Sequence, residues 1–327
     1  MLCLLLSACS STDQRRLSDE QIKTEQRYQD VLALREEHRL NNRLQDLSFP
    51  LLAAATDQCA NRTTYKLGLQ LHTAEDYPEN QQEAAQQVFD ELDGIRVKHS
   101  AKGTSAREHL LRGDKIIQIN GDKVPNSTAN TIRRLKQQLL KGPSLELTIE
   151  RNDRLHSITL TAVEVCDYPV QLSQQDAINA FADGSSIIVN AGLMRFAQKD
   201  SELALIIAHE LAHNVADHGM EKIKGGLIGG LFDLAISSGG SIVSPAIGVA
   251  LGANLLSQSY EVEADKLAIR LMHQLDYPLQ PLPEFWRRMA TVHPSSIRHG
   301  QQASHPTTVE RYLIMKQEVE RLTQSDE

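Results

Sequence analysis

The strongest constraint in the chain is the stretch from Ser201 to Met220, SELALIIAHELAHNVADHGM. Leu203, Ile206, Ile207 and Leu211 recur at helical spacing, and neither Gly nor Pro breaks the run before Gly219, so a helix is expected across it. Inside it lies His209-Glu210-Leu211-Ala212-His213. Residues four apart on a helix share a face, so His209 and His213 can present two imidazoles to one metal ion. Glu210 sits one step round, placed to hold a water at that metal and take its proton. The plainer alternative is a core helix with two histidines turned to solvent. It fits poorly, because the histidines and the glutamate interrupt an apolar run, where a titratable group needs a partner.

A hydrolytic zinc site takes three protein ligands and keeps a fourth position open. Tyr260-Glu261-Val262-Glu263-Ala264-Asp265 opens a second expected helix, which runs to about Gln274. Glu261 and Asp265 share one face of it and Glu263 points elsewhere. One face can therefore supply a ligand and the group that supports it. An acidic helix start favoured by the helix dipole is the better account of Glu263.

At 327 residues, 41% apolar and 23% charged, the chain is long enough for two modest domains. A net charge of −8 and the absence of any Lys/Arg-rich run argue against nucleic acid as a partner. The first nine residues, MLCLLLSAC, form an apolar run followed by Ser10, Ser11 and Thr12. They resemble a bacterial lipobox, which implies that Cys9 is lipidated and anchors the chain to a membrane. Ser10 differs from the aspartate of an inner-membrane retention signal, so the periplasmic face of the outer membrane is the expected location. Residues 10–55 are charged and Gln-rich, and are expected to form a helical spacer ending at Pro50.

Cys59 and Cys166 remain as a pair. In an oxidising compartment an even pair suggests a disulfide, with two free thiols as the alternative. Between them, residues 94–99 read as a strand, 106–111 as a short helix and 115–120 as a strand. A helix at 129–140 and strands at 145–150 and 155–163 follow. This pattern, above all LRGDKIIQINGDKV, resembles a PDZ domain. The resemblance implies that Leu67, Gly68 and Leu69 hold the end of a bound peptide, which adds as a strand to an exposed edge. A structural spacer without ligand is the alternative, and Ala74–Asp90 is an insertion able to cover the groove.

The segment NAFADGSSIIVNAGLMRFAQKDSELALIIAHELAH is similar to the catalytic domain of the CAAX prenyl protease, HtpX, Oma-type and BepA-like zinc metallopeptidases. The resemblance implies one Zn2+ held by His209, His213 and Glu261, with Glu210 as general base and Asp265 orienting a ligand histidine. It further implies that Ile187, Ile188 and Val189 lie on an edge strand along which substrate extends. Ser304-His305-Pro306 resembles the C-terminal His-Pro motif of these enzymes, with His305 as a gate over the metal and Arg311 as an electrostatic group. His293-Pro294 competes for that match but lacks the arginine six residues on. His218 reads as surface or supporting. The glycine-rich 223–256 reads as two short apolar helices rather than a membrane span.

The expected architecture is therefore α+β. A PDZ-like β-rich domain (56–167) precedes a mainly helical zincin-type metallopeptidase domain (168–327) with a small sheet. The expected activity is that of a zinc endopeptidase on protein or peptide substrates, in envelope protein quality control, with envelope partners reached through the PDZ-like domain. The alternative is a binding or chaperone-like lipoprotein whose metal site is latent.

Overall fold

A computed structural model describes residues 17–59, 62–216, 250–298 and 306–325. Cys9, His218 and His305 lie outside the described residues, as does most of the glycine-rich stretch. Helix α1 spans Asp19–Ala54 and starts on a capping box, in which Ser18 accepts from the Gln21 backbone and Gln21 returns a bond to the Ser18 N–H. Contrary to the expected stop, Pro50 lies inside this helix. Its missing N–H is tolerated because Leu51 and Leu52, which follow it within the last turn, are anchored in the core.

Nor is α1 a spacer. Leu40, Leu44, Leu47 and Leu51 recur on one face and are almost fully buried. They join a core that also contains Leu203, Ile207, Ile269 and Trp286 from the far half of the chain. Upstream on the same helix, Val31 and Leu34 pack against α2 (Glu79–Phe89). The 74–90 insertion thus leans on α1 and contributes nothing to the groove that it was expected to cover.

The β-rich domain follows. Strands β1 (Thr63–Lys66) and β8 (Val163–Cys166) pair antiparallel, with Thr63 opposite Cys166. The main sheet runs β2 (Leu69–His72), β3 (Arg96–Ser100), β4 (Lys115–Ile119), β6 (Ser144–Arg151), β7 (Arg154–Thr161), with β5 (Asp122–Lys123) pairing β4. Alternating Ile95, Val97, Ile116, Ile119, Leu147, Ile149 and Leu160 fill its core. Helices α3 (Ser105–His109) and α4 (Thr128–Leu139) complete the domain. Asp114 closes the turn into β4: it accepts from the Leu111 N–H at 2.8 Å and pairs with Arg151 Nε at 2.7 Å.

The helical half carries a three-stranded sheet of β10 (Ala180–Ala182), β11 (Ile187–Asn190) and β9 (Val170–Ser173), in that order. This corrects the reading of Ile187, Ile188 and Val189. Their strand is the middle one, antiparallel to β10 and parallel to β9, so both its edges are occupied. The outer strand on one side is β10. Helices α5 (Ala191–Phe196), α6 (Asp200–Val215), α7 (Ala250–Gln274), α8 (Glu284–Val292) and α9 (Thr308–Ser325) enclose the core. Trp286 is buried in it. Among the described residues, no helix is long and apolar enough to cross a membrane.

Cys59 and Cys166 are disulfide-bonded, with Cα atoms 5.7 Å apart and a sequence separation of 107. Closing so long a loop restricts the unfolded chain. Replacing both cysteines by serine is expected to cost about 2–4 kcal/mol in urea unfolding. A second expectation concerns acid. Burial, aided by Lys98, pushes both His38 and His72 down to about 4. The unfolded chain takes up these protons near the ordinary histidine value and the folded chain only near 4, so this contribution is complete above the upper value and lost as pH falls towards the lower. Urea midpoints measured across that window should fall more steeply for the wild type than for the His38→Gln/His72→Gln double variant.

Candidate metal centre

Helix α6 is buried on every side from Glu202 to Asn214, as a helix in the centre of a core must be. Both ends are fixed by polar bonds. At the N-terminal end, Arg43 of α1 donates to Asp200 (2.8 Å) and to the carbonyls of Met194 (3.0 Å) and Ala197 (2.7 Å). Arg288 of α8 pairs with Glu202 and donates to the Phe196 carbonyl at 2.7 Å. At the C-terminal end, Asn214 accepts from the Gly184 N–H at 2.8 Å and donates to the Ser186 carbonyl at 3.0 Å. Arg62 holds the same turn from the other side, donating to the Gly184 and Ser185 carbonyls. The β10–β11 turn is thereby tied to the residue that follows His213.

On this fixed helix, His209 and His213 are 0% and 6% exposed and their Nε2 atoms lie 3.1 Å apart. Glu261 of α7, 0% exposed, places its Oε2 3.2 Å from His209 Nε2 and its Oε1 3.2 Å from His213 Nε2. Ligands at tetrahedral positions about 2.0–2.1 Å from a zinc ion stand roughly 3.3 Å apart, so the three donors already have the spacing that such an ion requires. His209, His213 and Glu261 are the one group of three metal-capable side chains among the described residues.

Charge supports the same fit. Asp265, one turn beyond Glu261, is fully buried and lies 2.9 Å from His209 Nδ1. Arg311 of α9 donates to Asp265 at 3.0 Å through Nε and stacks 3.7 Å over the Trp286 ring. Its Nη2 lies 2.9 and 3.1 Å from the two ring nitrogens of His209, laid against the imidazole rather than aimed at either lone pair. Burial and Arg311 push the His209 pKa down, but Asp265 and Glu261 outweigh them and raise it. Burial pushes Asp265 up, and Arg311 with His209 more than reverses this. Glu210 is 2% exposed and its charge is felt at Arg311. Three carboxylates against one guanidinium leave two negative charges in a dry interior, which a divalent cation neutralises. Nitrogen, nitrogen and carboxylate oxygen form a donor set suited to zinc.

The structure therefore brings His209, Glu210, His213, Glu261, Asp265 and Arg311 together. It differs from the sequence reading in one respect here: α7 begins by Ala250, so Glu261 and Asp265 lie in a helix interior and not at an acidic start. Glu263 is exposed. Sequence reasoning missed Asn214, Arg43 and the Glu202–Arg288 pair. Asn214 carried a signal, as an amide directly after the second histidine in an apolar helix. Leu67, Gly68 and Leu69 lie elsewhere, on a cavity of about 260 Å³ between β2 and α4 that α1 helps to line. Gly68 has φ +64°, and a Cβ there would meet Thr104 Cγ2 at 2.6 Å, so only glycine fits.

The Glu261→Ala variant is expected to lose zinc on dialysis, with content read by elemental analysis. Asp265→Asn should keep the metal but bind it about 10–100-fold more weakly, as for other partners of a ligand imidazole.

Comparison with known proteins gives the same assignment. The model of peptidase family M48 matches residues 150–318, just over half of the chain. The mitochondrial metalloendopeptidase OMA1 of Arabidopsis thaliana is 22% identical over 238 residues, 67% of this chain and 48% of that protein. OMA1 of Saccharomyces cerevisiae is 24% identical over 212 residues, covering 58% of this chain and 60% of the relative. The beta-barrel assembly-enhancing protease of Yersinia pestis is 28% identical over 134 residues, 36% of this chain and 27% of the relative. The chain thus spans about half the length of the first of these and less of the last. Most of the β-rich region precedes the matched segment, which begins at the end of β6 and takes in β7 and β8. With its His-His-Glu metal site intact, the chain belongs to peptidase family M48.

Proposed function

We propose that this chain is a zinc-dependent endopeptidase of the bacterial envelope. The observation that carries the reading is the buried triad His209, His213 and Glu261 within the M48-matched segment, with Glu210 one residue from the first ligand. Zinc held there would supply Lewis-acid chemistry, polarising the scissile carbonyl and making a water nucleophilic near neutral pH. Glu210 takes a proton from the attacking water and returns it to the leaving amine nitrogen. Asp265 accepts the Nδ1 proton of His209, which leaves Nε2 as the ligand atom. Arg311 keeps Asp265 ionised for that task. An extended peptide adds to the outer edge of β10 in this proposal, since β11 is already paired on both sides.

Lipid anchoring through Cys9 at the periplasmic face of the outer membrane belongs to the same proposal. The apolar run ending at Cys9 and the oxidised Cys59–Cys166 pair support it. A relative named for enhancing beta-barrel assembly supports envelope proteins as substrates. The PDZ-like domain would recruit them, with peptide ends received at Leu67, Gly68 and Leu69 beside the free edge of β2.

Glu210→Gln tests the reading. The variant should keep its zinc and its circular dichroism while cleavage of an unfolded protein such as casein falls by about a thousandfold or more, the general base being lost. Undiminished cleavage would remove Glu210 from the mechanism. Retained cellular function with cleavage abolished would favour a binding role.

A further inference from the structure

We propose that the cleft between α1 and the β-rich domain binds a phosphate-bearing anion. It is a preformed cavity of about 700 Å³, within the ~300–1,000 Å³ of ordinary ligand sites. Its walls are unusually cationic for a chain of net charge −8. Arg35 comes from α1, Lys98 from β3, and Arg107 and Arg112 from α3 and the loop after it. Among the described residues, none of these four has an acidic side chain within ion-pair distance. The cleft's other charges are already matched. Arg39 is held by Glu36 at 2.7 Å, and Asp46 accepts from His99 and from the Lys102 N–H.

Two buried donors on the same walls point to an acceptor. His38 is 8% exposed, and Asn42 Nδ2 lies 3.1 Å from its Nε2. With the amide donating there, the proton of the neutral ring sits on Nδ1, which has no partner. Ser100, 4% exposed, has a hydroxyl with no partner either. Buried donors left unmade are costly, and nearly all are satisfied in folded proteins by protein, water or ligand. His38 is held neutral first by burial and then by the charges of Lys98, Arg112 and His99, which reports an unbalanced positive field at this point.

Four cationic heads and two neutral donors exceed what a single carboxylate can use. They suit the double charge and several oxygens of a phosphate monoester. Arginine forks match that geometry best. The same chemistry is offered by a free phosphate monoester and by the phosphomonoester headgroup of phosphatidic acid, and the apolar Leu111 at the rim, 59% exposed, is compatible with either.

The test titrates the full chain with inorganic phosphate at constant ionic strength, using calorimetry, with glutamate as the carboxylate comparison. Flotation with phosphatidic acid vesicles is read against phosphatidylcholine vesicles for the same chain. Lys98→Gln and Arg112→Gln should each weaken phosphate binding about tenfold, the usual result of losing one charge-assisted hydrogen bond. Lys316→Gln, on the exposed face of α9, should leave it unchanged, and zinc content should stay constant throughout. Preference for phosphatidic acid that the two cleft variants abolish would support the site and assign it to lipid. Phosphate binding without such a preference would support it and assign it to a soluble ester. Absence of saturable phosphate binding, equal affinity in the cleft variants, or glutamate binding as tightly as phosphate would each overturn the proposal.

Discussion

Three carboxylates, two imidazoles and a guanidinium sit together where water does not reach, and the helical half of the molecule depends on how they are reconciled. Removing such groups from water is expensive unless each finds a partner of opposite character. Arg311 answers Asp265, Asp265 answers His209, and Glu261 faces both ring nitrogens. Each link bridges two helices, so the electrostatics also dictate how α6, α7 and α9 pack. The flat face of Trp286 beneath Arg311 completes the enclosure, offering a π surface to a cation that has no solvent.

Such a cluster works only if its helix cannot shift. Arg43 and Arg288 converge on the start of α6, and Asn214 ties its end to the β10–β11 turn. The turn is in turn gripped by Arg62, which stacks on Tyr168 and stands three residues from the Cys59–Cys166 bridge. The metal ligands, the strand beside them and the covalent crosslink therefore share one short chain of contacts.

The metal helix was legible because its chemistry is local: two histidines one turn apart announce themselves within five residues. The third ligand was legible for a similar reason, through the acidic pair at Glu261 and Asp265, although the helix around them begins well before Tyr260. Strands of the β-rich domain followed from their alternation and their Gly- and Asp-marked turns. What failed was information held by neighbours. Ile187, Ile188 and Val189 alternate equally well at the edge or in the middle of a sheet, and only the pairing with both β9 and β10 decides. Likewise α1 looked like a spacer because its first half is polar. The stripe from Leu40 to Leu51 gains meaning only beside partners more than a hundred residues away.

That separation has a consequence for how the molecule is made. Arg43 meets Asp200, 157 positions further along the chain, and much of the cover for the leucine face of α1 comes from elements that follow it far along the chain. During synthesis this helix emerges with an apolar stripe and nothing to lay it against. The β-rich domain, whose own core is drawn from residues 67–162, can close first and act as a platform that holds α1 until α6 and α7 arrive. The metal centre draws on residues from His209 to Arg311, so it is assembled only when nearly the whole chain is present.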